Sequence, residues 1–126
     1  MNLIHALPPI AIGVDDFHRL GWLADTVRPL LPGISAFLQR ELDRAEIVEP
    51  WFGLVTMGAT VRYRLDDSAS ECVGRLVYPA DVQRCSSPIP VLSELGVALI
   101  GLREGQSIYW RDAGGRLCRV AVIRSD

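Results

Sequence analysis

The spacing of apolar residues changes at Glu49-Pro50, and this change restricts the possible folds more than any other feature of the sequence. Before it, apolar residues recur every three or four positions, as on one face of a helix. After it, apolar and polar residues alternate over several segments, as in strands with one buried face. The sequence therefore predicts an α+β protein, with helices in residues 1–49 and a sheet domain in residues 50–126.

Two helices are predicted in the first part, separated by a loop that contains Pro29 and Pro32-Gly33. Their apolar stripes are Phe17, Leu20, Leu23, Ala24 and Val27 in the first helix, and Ile34, Phe37, Leu38, Leu42 and Ala45 in the second. Asp15 or Asp16 stands where a carboxylate would cap the first helix, and metal ligation by this pair is the alternative. Helices of about a dozen residues with a short connection form an antiparallel hairpin about 20 Å long.

The second part is predicted to be a mainly antiparallel sheet with one short helix laid across it. The predicted strands are residues 54–65, 71–78, 107–111 and 117–123. Residues 89–92 form a further short apolar segment, and Pro90 indicates an edge position because proline cannot donate to a strand ladder. Residues 94–100 are predicted to be helical and to end at Gly101. Trp51 and Trp110 are expected to pack in the core.

Composition excludes several classes of function. The formal net charge is −2, and all 13 basic residues are scattered arginines, so there is no basic stripe for binding nucleic acid. No apolar run reaches the roughly 18 residues of a membrane span. The first ten residues lack the basic and long apolar segments of a secretory signal. We therefore expect a cytoplasmic protein, with no membrane or direct nucleic-acid partner.

The sequence contains no motif for catalysis or for a cofactor. The three cysteines are widely spaced and lack the paired arrangement of a zinc site; they are Cys72, Cys85 and Cys118. We therefore expect free thiols and no bound metal. Neither a glycine-rich phosphate loop nor the metalloprotease pattern of two histidines around a glutamate occurs. We therefore predict a protein without catalytic residues, metal or cofactor.

The segment of residues 91–110 combines a short helix with an excess of apolar side chains. Leu92, Leu95, Val97, Ala98, Leu99 and Ile100 are more than one helix face can bury against one sheet, so some are expected to stay exposed. Exposed apolar patches mark docking sites on proteins. A helix fully covered by a loop is the alternative. Asp81, in the preceding polar loop, is a further candidate for contact with a partner.

The same segment resembles the C-terminal domain of the GreA/GreB transcript-cleavage factors. Its residues Ser93, Ala98, Leu99, Gly101 and Gly105 match that family's pattern, whereas Glu94 replaces its usual proline and Gln106 its frequent aspartate. Over residues 8–123 the chain is most similar to one branch of that superfamily, the Rnk proteins, or regulators of nucleoside diphosphate kinase. The segments shared with that branch are residues 41–45, 55–57, 76–79 and 98–102.

This resemblance implies an FKBP-like C-terminal domain that carries a short N-terminal coiled-coil hairpin. It also implies binding to bacterial RNA polymerase at the mouth of its secondary channel. We expect the chain to be a monomer. The contacts implied lie in the loop and helix of residues 93–99. The residues predicted to contact the polymerase are Asp81, Ser93, Glu94, Leu95 and Val97.

Cleavage factors of this superfamily carry an acidic pair at the tip of a long hairpin, where carboxylates help to hold Mg²⁺ in the polymerase. In this chain residues 28–33 contain no carboxylate, and Asp25 lies alone one turn earlier. The hairpin is also short. We therefore predict a non-enzymatic regulator that competes with GreA/GreB-type factors and does not stimulate RNA cleavage.

Two other functions remain open from the sequence. An FKBP-like prolyl isomerase would need Tyr63, Tyr78, Tyr109 and Trp110 to converge on one pocket, and fold alone is weak support for such an activity. The chain would otherwise be an adaptor for another partner, such as the kinase in the name of the Rnk branch.

Overall fold

The computed structural model describes residues 6–126 and shows an α+β protein, as predicted. The helices are α1 (Val14–Val27), α2 (Pro32–Arg44) and α3 (Glu94–Leu99), together with a 3₁₀ helix at Pro79–Arg84. The strands are β1 (Ala11–Gly13), β2 (Glu46–Val48), β3 (Thr60–Leu65), β4 (Cys72–Val77), β5 (Pro88–Pro90), β6 (Ser107–Arg111) and β7 (Leu117–Ser125). Within residues 6–126, no helix has the length and apolar character needed to cross a bilayer.

The first two helices pack against each other across a four-residue connection, residues 28–31. Their contact buries Leu20 and Ala24 of α1 and Leu38 of α2 completely. The Ser35 hydroxyl also donates a buried hydrogen bond to the Ala24 carbonyl oxygen at 2.6 Å. The apolar stripes read from the sequence therefore do form the contact between the two helices.

Two details at the helix starts differ from the prediction. The N-cap of α1 is Gly13 and makes no side-chain hydrogen bond, so the expected cap by Asp15 or Asp16 is wrong. Both carboxylates lie in the first turn, where negative charge suits the helix dipole. Pro32, expected to lie in the loop between the helices, instead opens α2, because a missing N–H costs nothing at that position.

Strands β1 and β2 form a parallel pair at the two ends of the helical hairpin. The Ala11 N–H donates to the Gly101 carbonyl oxygen at 3.1 Å, which ties β1 to the segment that follows α3. The Glu46 N–H donates to the Ile10 carbonyl oxygen at 3.0 Å. The two ends of the hairpin are thus joined to each other, and β1 joins them to the segment after α3.

The remaining strands form one sheet in the order β5-β4-β3-β7-β6, antiparallel except for the parallel β4–β5 pair. Strand β5 lies at an edge, which confirms the prediction from Pro90. The predicted strand over residues 54–65 is too long, because β3 begins only at Thr60. Before it, the Val55 backbone exchanges hydrogen bonds with Gly101 and Leu102, and Gly58 adopts a positive φ of 85°.

One buried cluster of side chains includes residues of both the hairpin and the sheet. Leu20 and Leu38 belong to it together with Val61 and Val120, and α2 contacts α3 directly. Trp110 packs against this cluster, as expected. Trp51 does not, since it is 43 % exposed beside a turn in which Gly53 has a φ of 91°. The expected core role of Trp51 is therefore wrong.

Candidate docking surface and adjoining cavities

Helix α3 is fixed at its start by a cap and by a close backbone contact. The Ser93 hydroxyl accepts a hydrogen bond from the Gly96 N–H at 3.0 Å and donates one to the Pro90 carbonyl oxygen at 2.6 Å. A Cβ placed on Gly96 would lie 2.1 Å from that same carbonyl oxygen. The position therefore requires glycine, and α3 lies directly against the end of β5.

Most of the apolar side chains of α3 are covered by the protein itself. Val97, Ala98, Leu99 and Ile100 have exposures of 0–1 %, so of the six apolar residues of this segment only Leu92 and Leu95 keep exposed surface. The reason is that α3 contacts α2 as well as β5, β6 and β7, whereas the sequence argument counted burial against the sheet alone. Val97 was predicted to contact the polymerase, but at 0 % exposure it has no surface to offer.

What remains accessible is a short segment at the start of the helix, which we call the α3 rim and define as Leu92–Leu95. All four of its residues are half-buried. The Trp110 indole N–H donates to the Glu94 carboxylate at 3.0 Å, which joins the rim to β6. Ser93, Glu94 and Leu95 are therefore adjacent and accessible.

Asp81 and the α3 rim border different cavities: Asp81 lines one, and Glu94 of the rim lines the other. It is half-buried in the 3₁₀ helix, and its carboxylate lies 3.9 Å from the Arg84 guanidinium. Of the five predicted contacts, three therefore share one surface, one borders another cavity and one is buried.

An apolar groove of about 620 Å³ lies between the loop end of the helical hairpin and β6. Its walls include Leu31 and Phe37 from the hairpin and Trp110 from the sheet, and Glu94 connects it to the α3 rim. Leu30, at its margin, is 84 % exposed. Sequence reasoning missed this groove, and the only local signal was a pair of leucines between two prolines.

A second, polar cavity of about 540 Å³ lies among α1, β4 and the 3₁₀ helix. The Tyr78 hydroxyl donates to one oxygen of Asp16 at 3.0 Å, and the Met57 N–H donates to the other at 3.2 Å. Arg19 stacks over the Tyr78 ring, 3.7 Å from its centroid. Burial and the adjacent Asp16 charge raise the pKa of Tyr78 well above its usual range, so the phenol stays protonated.

The loop end of the hairpin carries no group of metal ligands. Residues 28–31 contain no carboxylate, and Asp25 forms an exposed ion pair with Arg28. Over residues 6–126, histidine, cysteine and acidic side chains nowhere gather in threes. The alternative reading of Asp15-Asp16 as a metal site therefore gains no third ligand.

The four aromatic residues considered for prolyl isomerisation do not share a cavity. Tyr109 and Trp110 line the apolar groove, whereas Tyr78 lines the polar cavity and Tyr63 is buried in the core. The convergence that an isomerase pocket would need is thus missing from the described part of the chain.

Two family models match the chain in succession. Residues 8–48 match the Rnk N-terminus, and residues 50–124 match the C-terminal region of the transcription elongation factors GreA/GreB. The "Regulator of nucleoside diphosphate kinase" of Escherichia coli (strain K12) is 34 % identical over 121 residues, which cover 92 % of this chain and 88 % of that protein. This chain belongs to the Rnk family.

Two further comparisons agree with Rnk membership. The protein of the same name from Shigella flexneri shows the same identity and coverage. The structure of "Prokaryotic transcription elongation factor GreA/GreB from Nitrosomonas europaea" superposes with a TM-score of 0.71 at 38 % identity, covering 92 % of this chain and 98 % of that one. The resemblance read from residues 8–123 is confirmed, and with it a relationship of this Rnk-family chain to transcription elongation factors.

Proposed function

We propose that this Rnk-family chain is a non-enzymatic cytoplasmic regulator of transcription that binds bacterial RNA polymerase near its secondary channel. In this role it competes with GreA/GreB-type factors and does not stimulate RNA cleavage. Family membership supports the link to transcription, since residues 50–124 match the C-terminal region of those factors. The proposal also includes an FKBP-like fold for the C-terminal sheet domain and a coiled-coil character for the N-terminal helical hairpin.

The observation that carries the proposal is the loop end of the hairpin. Helices of 14 and 13 residues give an arm only about 20 Å long. Residues 28–31 offer no carboxylate, and the nearest one along the chain, on Asp25, is paired with Arg28. A magnesium ion needs oxygen ligands at close to octahedral positions, which this end of the molecule does not provide. Occupancy of the polymerase without cleavage is the function that fits.

The proposed contact surface is the α3 rim, with Asp81 as a separate second contact. Ser93, Glu94 and Leu95 are held by the cap and by the Trp110 hydrogen bond, so the rim needs little ordering on binding. Leu95 supplies the apolar contact. Val97 is left out because it is buried.

Competition for purified RNA polymerase tests the function directly. A labelled GreA/GreB-type factor is bound to the polymerase, this chain is added, and both the bound label and RNA cleavage in stalled complexes are measured. We expect the amount of bound labelled factor and the RNA cleavage to decrease together as this chain is added. In the absence of the labelled factor, this chain should leave the RNA intact. Cleavage stimulated by this chain alone, or undiminished label at saturating amounts, would contradict the proposal.

Substitution of Leu95 tests the surface. Leu95→Arg places a charge in the proposed interface and should weaken polymerase binding by about 2 kcal/mol, or about 30-fold in Kd. Leu117→Arg is the matched control, since Leu117 is a surface leucine at the start of β7. Circular dichroism establishes that both variants are folded. Equal affinity of the two folded variants for polymerase would remove the α3 rim as the contact.

The name of the Escherichia coli relative favours a second candidate, direct action on nucleoside diphosphate kinase. A pull-down of purified kinase by this chain, in the absence of polymerase, distinguishes the two. Binding there and none to polymerase would favour the adaptor function. For prolyl isomerisation, the separated aromatic residues predict no activity on a proline peptide.

A further inference from the structure

We propose that the polar cavity among α1, β4 and the 3₁₀ helix binds a small phosphate-bearing molecule through Arg19, Arg75 and Arg84. These three arginines come from three different elements and line one cavity. Guanidinium groups are planar forks of N–H donors that match phosphate oxygens two at a time. The proposal concerns this cavity alone and does not depend on polymerase binding.

The three guanidinium groups keep donors free for a ligand. Arg75 uses its Nε to donate to the Gly58 carbonyl oxygen at 2.9 Å, and this bond positions the rest of the fork. The Arg19 guanidinium carbon lies 3.7 Å from the centroid of the Tyr78 ring, and within residues 6–126 none of its N–H groups donates a hydrogen bond. Among residues 6–126, neither Arg19 nor Arg75 has a carboxylate within 4.0 Å.

The two carboxylates that line the cavity offset only part of this positive charge. Both oxygens of Asp16 already accept hydrogen bonds, from Tyr78 and from the Met57 N–H. The Asp81 carboxylate lies 3.9 Å from Arg84, beyond hydrogen-bond distance, and the Arg84 side chain is 83 % exposed. Three positive charges face two negative ones, so the cavity attracts an anion.

The size and lining of the cavity indicate which anion. A volume of about 540 Å³ holds more than one phosphate group. The outer face of the Tyr78 ring is already covered by Arg19, which leaves no aromatic surface for a base to stack on. The phosphate groups are therefore the part of the ligand that the cavity recognises. Two linked phosphates can bind guanidinium groups from separate elements at the same time, which a single phosphate does less well. Inorganic pyrophosphate is the appropriate probe.

Amide NMR spectroscopy at constant ionic strength provides the test. Pyrophosphate should produce saturable chemical-shift changes in the amide signals of Gly58, Val77 and Cys85, all of which line the cavity. Inorganic phosphate should bind more weakly and acetate should not saturate. Arg19→Gln and Arg84→Gln should each weaken pyrophosphate binding about tenfold, because each removes hydrogen bonds to a charged ligand.

Arg124→Gln is the control, since Arg124 is an exposed arginine on β7 paired with Asp126 outside this cavity. Its pyrophosphate affinity should equal that of the unaltered chain. Shifts that do not saturate at millimolar pyrophosphate would overturn the proposal. So would equal weakening by all three arginine substitutions, which would indicate general charge attraction, or acetate binding as tightly as pyrophosphate.

Discussion

The Tyr78 hydroxyl joins the end of the sheet to the first turn of α1. Its partner, Asp16, is 62 residues away in the chain, and the same carboxylate also holds the Met57 N–H. The bond matters because a carboxylate in a half-buried position needs donors in place of water. A residue predicted as a helix cap thus acts as a contact between two parts of the molecule.

Tyr78→Phe should lower the free energy of unfolding by about 1.5–3 kcal/mol at neutral pH, the usual value for a hydrogen bond to a charged group. Because the folded state raises the pKa of Tyr78, the unfolded chain loses that proton first as pH rises above about 10. Stability from this group is therefore complete below that pH and declines above it. Urea unfolding from pH 7 to 11 should show that the difference in free energy of unfolding between the unaltered chain and Tyr78→Phe becomes smaller as the pH rises. A constant difference would contradict the assignment.

Gly96→Ala should destabilise the protein by roughly 1–3 kcal/mol, because the added methyl group meets the Pro90 carbonyl oxygen and forces α3 to shift. Gly21→Ala is the matched control on α1. A Cβ there meets nothing within 4 Å, and alanine favours helix by up to about 1 kcal/mol. Opposite shifts in the urea midpoint are expected, and a neutral Gly96 variant would show that α3 is less closely packed than described.

At the scale of elements, the segment shared with the Rnk branch at residues 41–45 contains a buried ion pair. Glu41 is 3 % exposed, and Arg44 donates to both of its oxygens at 2.9 and 2.8 Å. Arg44 also donates to the Pro8 carbonyl oxygen. The pair therefore connects the end of α2 to the chain just before β1.

Arg44→Met should cost about 3–5 kcal/mol, because it leaves the Glu41 carboxylate buried without its partner. Arg40→Met, one turn earlier on the exposed side of α2, should cost less than about 1 kcal/mol. Adding Glu41→Leu to Arg44→Met should recover much of the loss, since a buried pair can be replaced by apolar side chains. If the two single variants unfold at the same urea concentration, the pair contributes no more than a surface contact.

Elements with a clear local pattern could be predicted from the sequence, and those set by distant contacts could not. Strand β6 falls at residues 107–111 as predicted, and Pro90 marks an edge strand. The β1–β2 pair was missed because three-residue strands have no period to read. Residues 54–59 alternate like a strand, yet Leu54 and Val55 pair with the segment after α3, whereas Gly58 and Ala59 pair with Leu76 of β4. For the candidate site, the location of Ser93 to Leu95 was predictable, whereas the burial of Val97 depends on α2 packing against α3.

At the scale of the whole molecule, the shared core of hairpin and sheet predicts a single unfolding transition. Trp22 lies on α1 and Trp110 on β6, so two variants that each retain one of them as the sole tryptophan, with Trp51 also replaced, report the two parts separately. Their fluorescence and the far-ultraviolet circular dichroism should give one common urea midpoint. Separate midpoints would show that residues 1–49 and 50–126 unfold independently.

The parallel β1–β2 pair has a mechanical consequence for the hairpin. Both ends of the hairpin continue into the same two-stranded ribbon. The Ala11 N–H of this ribbon donates to the carbonyl oxygen of Gly101, in the segment that follows α3. Movement of the hairpin would therefore strain the backbone that follows α3 as well as disturb the packing of α2 on α3. The exposed leucines of the hairpin and the α3 rim are therefore connected both through this ribbon and through the packing of α2 against α3.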